Sequence, residues 1–226
     1  MTVERTQSAS AYQALEEAVV TLSLEPGPVV TEQALCERLG FGRTPVREAV
    51  QRLQASMLVR VLPRQGILIE PVDARRILMS VDVRERIEPF VVERAARLAD
   101  AFEKRRFETL AAMMEEAARA GEQRAFTQLD RECNDLVARA ARHDIAARML
   151  TPLHAMARRL GCLTVASGGI QADGAVEAHV TLLRATAQGE AATALAALDD
   201  IHAIVRDLAL SLAASDPDTH RQRATL

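Results

Sequence analysis

The sequence predicts a mainly α protein in two parts: a winged helix-turn-helix over residues 1–72, then an all-helical antiparallel bundle over residues 73–226. Three observations carry this. Five Phe, Tyr12, no Trp, ten Gly and eight Pro in 226 residues leave too few aromatic and turn residues for a sheet-rich fold. Apolar residues recur at helical spacing along most of the chain. Charge is unevenly spread. The 28 basic and 31 acidic residues give a net charge of −3, yet Arg38, Arg43, Arg47, Arg52, Arg60 and Arg64 share their segment with a single acid, Glu48. A basic segment inside an acidic chain points to a dedicated surface for a polyanion.

The elements follow in order. Leu15, Val19 and Leu22 form one apolar stripe, which Glu25-Pro26-Gly27-Pro28 closes. Thr31 reads as the N-cap of a short helix carrying Leu35 and Leu39, and Gly40 ends it. After Phe41-Gly42, Thr44-Pro45 opens a third helix with proline at its first position. Val46, Val50 and Leu53 would face inward, which turns Arg43, Thr44, Arg47 and Gln51 outward; Glu48 reads as an i,i+4 partner of Arg52. Two short β-type runs, 58–62 and 67–69, then flank the turn Pro63-Arg64-Gln65-Gly66. In a winged helix-turn-helix the third helix enters the DNA major groove and the wing reaches the backbone or minor groove, and here both carry arginine.

Beyond Val72 the apolar repeats at 77–98, 107–118, 126–141, 145–160, 175–187 and 191–212 predict five or six amphipathic helices in an antiparallel bundle. Gly168-Gly169 marks a break, and the polar stretch from Ser215 to Leu226 reads as a frayed tail. No apolar run approaches the roughly 20 residues of a membrane span, and no signal peptide opens the chain. Cys36, Cys133 and Cys162 are odd in number and widely spaced, which suggests buried thiols in a reducing cytoplasm.

The block Arg43-Thr44-Pro45-Val46-Arg47-Glu48-Ala49, with Glu32 to Leu39 before it and Pro63-Arg64-Gln65-Gly66 after it, resembles the GntR family of bacterial transcription regulators. The helical remainder looks like the FCD effector domain of the FadR-type subgroup. The resemblance implies DNA contacts by Arg43, Thr44 and Arg47, by Arg64, Gln65 and Gly66 at the wing tip, and by Gln33 at the start of the second helix. Arginine can pair bidentately with guanine or clamp phosphate, and a threonine near a helix N-terminus adds a phosphate contact. Gly42 departs from the family's usual Ser or Thr, removing one hydroxyl.

Many FCD domains hold a divalent metal through an Asp, a His four residues later and two His from later helices, and sense a carboxylate effector there. By that resemblance the metal positions are Asp130, Asn134 in place of the first His, His179, and His202. Counting from Gly189-Glu190, the fourth position falls on Ile201, so His202 is one residue late, a turn of about 100° on a helix. The implied cofactor is one divalent zinc, nickel or manganese ion per chain. Without it, Asp130, Asn134 and His179 would hydrogen-bond the effector directly. Arg84 matches a family arginine that reaches an effector carboxylate, and is equally well read as an i,i+4 ion pair with Glu88. Arg158 and Arg159 could add positive charge to a pocket, whereas His143, His154 and His220 read as ordinary hydrogen-bonded core histidines.

The reading is a homodimeric, cytoplasmic DNA-binding regulator of a near-palindromic operator, responsive to a small organic acid. The alternatives are a regulator that is ligand-independent or acyl-CoA-responsive, and a helical metalloenzyme. The last lacks the repeated Glu-x-x-His pattern, and no catalytic elbow, phosphate loop or dinucleotide fingerprint occurs.

Overall fold

The computed structural model describes residues 6–167 and 174–215. The chain divides into two compact units, Met1–Val72 and Asp73–Leu226.

The first unit contains helices α1 (Gln7–Val20), α2 (Glu32–Leu39) and α3 (Arg43–Ala55) and strands β1 (Val29–Val30), β2 (Val59–Leu62) and β3 (Gly66–Ile69). Thr31 caps α2 by accepting from the Ala34 amide at 3.1 Å, and Gly40 ends it in the left-handed region, both as the sequence predicts. The helices close on Leu15, Leu35, Val46 and Leu53, each almost wholly buried. α1 stops before Leu22, which lies at φ 60, and Leu24 is buried in its place.

Three expectations here need correction. α3 begins at Arg43, so Pro45 stands third in the helix, still in the first turn where its missing N–H costs nothing. Glu48 accepts from Ser8 of α1, and the Arg52 guanidinium lies 3.8 Å from the Tyr12 ring centroid, so the expected Glu48–Arg52 pair gives way to two contacts with α1. The wing is a three-stranded antiparallel sheet in the order β1-β3-β2, because Val29 and Val30 add a strand against Leu68 and Ile67.

Within that sheet Leu62 pairs with Gly66, so the wing loop is Pro63-Arg64-Gln65 and Gly66 already belongs to β3. Gly66 has φ 135, and a Cβ there would fall 2.6 Å from the Val30 carbonyl oxygen. Only glycine fits that approach.

Among the described residues the second unit has six helices: α4 (Ala74–Leu98), α5 (Ala101–Arg119), α6 (Gln123–Ala140), α7 (Asp144–Ala166), α8 (Ala175–Gln188) and α9 (Ala191–Ser215). Asp100 and Glu103 form a reciprocal capping box on α5, and Asp73 and His143 cap α4 and α7. Pro89 and Pro152 lie inside α4 and α7, which run on through them, so Arg158 belongs to the same helix as Asp144. α4 packs on α6, α7, α8 and α9, and α5 packs on α6 and α8. Their shared core includes Phe107, Leu110, Met114, Leu136 and Leu183. The Gly168-Gly169 break, His220 and the tail beyond Ser215 lie outside the described residues. Among the described residues no helix is long and apolar enough to cross a membrane. All three cysteines are free; Cys133 and Cys162 are buried, and burial pushes the Cys133 thiol well above its ordinary range, as suits packing residues.

Gly66→Ala is expected to destabilise the first unit by about 2 kcal/mol or more, through the clash and the strained φ. Gly42→Ala, at an ordinary φ in open space, is expected to stay within about 1 kcal/mol of the parent. Urea unfolding followed by circular dichroism reads both.

Candidate functional sites

The first candidate surface is the N-terminal end of α3 with the wing loop. Gly42 offers no side chain to cap α3, so the positive end of the helix keeps its leading amides without a side-chain acceptor. Arg43, Thr44 and Arg47 are exposed there, as are Gln33 at the start of α2 and Arg64 and Gln65 in the wing loop. Arg64 adopts φ 64, an uncommon conformation for a side chain with a Cβ. Arg43 and Arg64 make no ion pair among the described residues. The other arginines of the basic segment have internal work: Arg38 donates to the Ser23 carbonyl, Arg60 pairs with Glu70 at 2.8 Å, and Arg52 lies on Tyr12. Sequence counting therefore overstated the charge available to a ligand.

Glu32 is a residue the sequence reasoning missed. From the first turn of α2 it accepts from Arg47 Nε at 3.1 Å and Nη2 at 3.0 Å. This two-point clamp holds the guanidinium while Nη1 stays available. Gln33 is held in turn, donating to Glu37 at 3.0 Å. Fifteen positions separate Glu32 from Arg47, so only the helix-turn-helix crossing brings them together.

The second candidate site is a cavity of about 110 Å³ inside the helical unit, walled by α4, α6, α7, α8 and α9. Its polar lining includes Arg84, Glu88, Asp130, Asn134, His154, Arg158 and His179; Val91, Phe126, Leu182, Ile201 and Val205 are among its apolar residues.

Two clusters organise the polar side. Asn134 Nδ2 donates to Asp130 Oδ1 at 2.7 Å and to the Asp130 carbonyl at 2.9 Å. His179 Nε2 stands 3.6 Å from the same Oδ1 while Nδ1 donates to the Ala175 carbonyl at 2.7 Å. Burial alone would raise the Asp130 carboxyl, but His179, Arg158 and His154 overcome it and bring it down to about 2. Burial likewise opposes the His179 cation, and the Asp130 carboxylate more than offsets it, raising the imidazole. The second cluster centres on Glu88. Arg84 Nε donates to its Oε1 at 2.9 Å, His154 Nε2 meets the same oxygen, and His202 Nε2 meets Oε2. Arg84, with the contacts from His154 and His202, holds the Glu88 carboxyl well below its usual range against a large burial penalty. Arg84 Nη1 and His202 Nδ1 are buried without a hydrogen-bond partner among the described residues.

These geometries correct two expectations. His154 is a cavity residue bonded to Glu88, not an ordinary core histidine; its partner lies 66 positions away, and no local signal marks it. His143 does have a structural role, as the N-cap of α7. The metal set Asp130, Asn134, His179 and His202 does not assemble. A metal needs donor lone pairs converging from three or four groups. The Asn134 amide nitrogen donates to two oxygens of Asp130, so the side chain occupies the Asp130 carboxylate instead of adding an imidazole donor beside it. The fourth wall position is Ile201, and His202 is turned to Glu88, as the one-residue slip requires. Among the described residues no three His, Cys, Asp or Glu side chains form a group that could hold a metal ion. The residues present do not fit the metal.

A winged three-helix unit joined in sequence to a helical unit with an internal cavity defines a class of transcriptional regulators, and comparison with known proteins names it. The chain matches the FCD domain over residues 80–203 and the bacterial regulatory proteins of the gntR family over residues 7–69. It belongs to the gntR-type regulators that carry an FCD domain. A transcriptional regulator of Streptomyces ambofaciens is 37% identical over 84 residues, which is 37% of this chain and 36% of that protein. The gluconate operon transcriptional repressor of Bacillus subtilis is 31% identical over 88 residues, 39% of this chain and 35% of that protein. The matched stretches thus span about a third of these relatives' length. McbR/YncC of E. coli has the same fold, with a TM-score of 0.80 at 18% identity over 92% of this chain and 99% of that one. The relatives are named as transcriptional regulators, and the metalloenzyme reading is set aside.

Two outcomes test these sites. The depressed Asp130 carboxyl stabilises the fold above the unfolded-state value near 4 and loses that contribution as pH falls toward 2. Asp130→Asn is therefore expected to forfeit about 2 kcal/mol of pH-dependent stability at pH 7 and progressively less below pH 4, as read by urea unfolding across pH 3–7. Glu32→Ala releases Arg47 and removes a negative charge from the same face. Its binding to random-sequence duplex is expected to tighten several-fold, with a smaller ratio of specific to non-specific affinity.

Proposed function

We propose that this chain is a transcriptional repressor that binds a near-palindromic DNA operator as a homodimer in the cytoplasm and responds to a small carboxylate held in the helical cavity. The observation that carries the DNA reading is the exposed cationic end of α3, where Arg43, Thr44 and Arg47 surround uncapped amides, together with Arg64 and Gln65 in the wing loop. Helix N-termini and arginine are both suited to phosphate, and arginine also reads guanine. Gln33 extends that face, and Gly66 supports it by letting β3 approach β1. A single short recognition helix gives limited specificity, so two copies on half-sites about 34 Å apart supply the rest. Repression follows the name of the Bacillus relative.

The effector reading rests on the cavity. Its volume of about 110 Å³ suits a small acid rather than an acyl-CoA. Arg84 lines it beside Asp130, Asn134 and His179, and its Nη1 has no partner among the described residues. Ligand binding would alter operator affinity only by its differential affinity for the DNA-bound and free arrangements.

Selection from random duplex DNA followed by mobility-shift titration tests the first part. The selected sites are expected to be near-palindromic. Arg43→Ala is expected to lose about 1–3 kcal/mol on them, while Arg64→Ala lowers the salt-dependence slope by about 1. Sites without symmetry, or variants that bind like the parent, would count against the proposal.

A further inference from the structure

We propose that this cavity takes its ligand with no metal, and that the missing metal makes it selective for a small monocarboxylate with an apolar body over a dicarboxylate. The inference rests on reading the cavity as the effector site and narrows what that site accepts.

Two positions account for the loss. Asn134 stands where the FCD resemblance implies a histidine, and its amide nitrogen is spent on Asp130. Ile201 stands at the fourth position and lines the cavity with a hydrocarbon side chain. His202, the nearest candidate to replace it, is 2% exposed and turned away to bond Glu88 of α4. Only Asp130 and His179 remain of the four, and they already face each other at 3.6 Å.

Removing a divalent cation changes what the cavity can neutralise. Its lining carries two guanidinium groups, Arg84 and Arg158, and two carboxylates, Glu88 and Asp130. These charges cancel, leaving the histidines His154 and His179 as the remaining titratable lining groups. One donor is left over. Arg84 is 4% exposed, its Nε is committed to Glu88, and its Nη1 is buried with no partner among the described residues. A buried cationic N–H without an acceptor is costly, and a single ligand carboxylate relieves that cost. A second ligand carboxylate would lie beside Asp130 and Glu88, which already engage His179, Arg84 and His154. Phe126, Leu182, Ile201 and Val205 offer the rest of the ligand an apolar wall instead.

The test uses the full chain stripped with EDTA. In equilibrium dialysis against zinc, nickel and manganese the parent is expected to hold well under one ion per chain. Asn134→His combined with Ile201→His should restore uptake of about one. A parent that retains one ion per chain, lost on Asp130→Ala, would overturn the proposal. So would a folded double variant that takes up no metal; should the double variant fail to fold, Asn134→His alone provides three ligands and the same reading.

Isovalerate and succinate then separate the ligand classes. Near tenfold above its Kd, isovalerate is expected to raise the thermal midpoint by about 3 °C in EDTA. Succinate at equal ionic strength should leave it unchanged, and Arg84→Lys, which keeps the charge but loses the planar fork, should abolish the isovalerate shift. A larger shift with succinate, a shift that requires added zinc, or no shift with either acid would overturn the selectivity. Operator titration separates this from the regulatory reading. An isovalerate shift with unchanged operator affinity would refute the regulatory role and leave the metal-free site standing, whereas operator release by succinate with zinc would do the reverse.

Discussion

Glu88 sits on α4 where α7 and α9 come against it, and its two carboxylate oxygens are shared among Arg84, His154 and His202. A carboxylate this deeply buried is tolerable only because three cationic or N–H donor groups surround it. Those donors come from three helices, so satisfying one charge fixes the relation of α4, α7 and α9. The cavity is bounded by the same helices, and its shape follows from that constraint. Arg84 is consequently held through Nε, and its Nη1 is left buried without a partner among the described residues, beside the cavity that Arg84 lines. A change in any of the three partners therefore acts on the cavity as well as on the core.

The Asp130 cluster obeys the same physics with a different outcome. Where a metal would draw carboxylate and imidazole donors to one point, Asn134 supplies a donor and His179 turns its Nε2 toward the carboxylate. The cluster is internally satisfied. It needs no ion to neutralise Asp130, and it links α6 to α8 across the cavity.

On the first unit, use and supply of charge also separate. Arg38, Arg52 and Arg60 serve the fold, through Ser23, Tyr12 and Glu70, while Arg43 and Arg64 remain for a partner. Arg47 is intermediate, held by Glu32 yet exposed. The surface is therefore smaller and more ordered than a count of arginines suggests. A guanidinium fixed at two points loses less freedom on meeting a base or phosphate than one that swings.

Much of this was legible in one dimension. The helix caps at Thr31 and Gly40, the run of amphipathic helices beyond Val72 and the outward face of α3 follow from local propensity and 3.6-residue periodicity, which act over a few neighbours. The FCD resemblance put the fourth position on Ile201, and the 100° advance per residue left His202 out of register unless a one-residue insertion restored it. What the chain could not reveal alone are partnerships across tens of residues. Glu88 with His154 and His202, Glu32 with Arg47, and the strand β1 that makes Gly66 obligatory depend on how separate elements pack. Burial decides which polar groups must find partners, and burial exists only once the tertiary structure is formed.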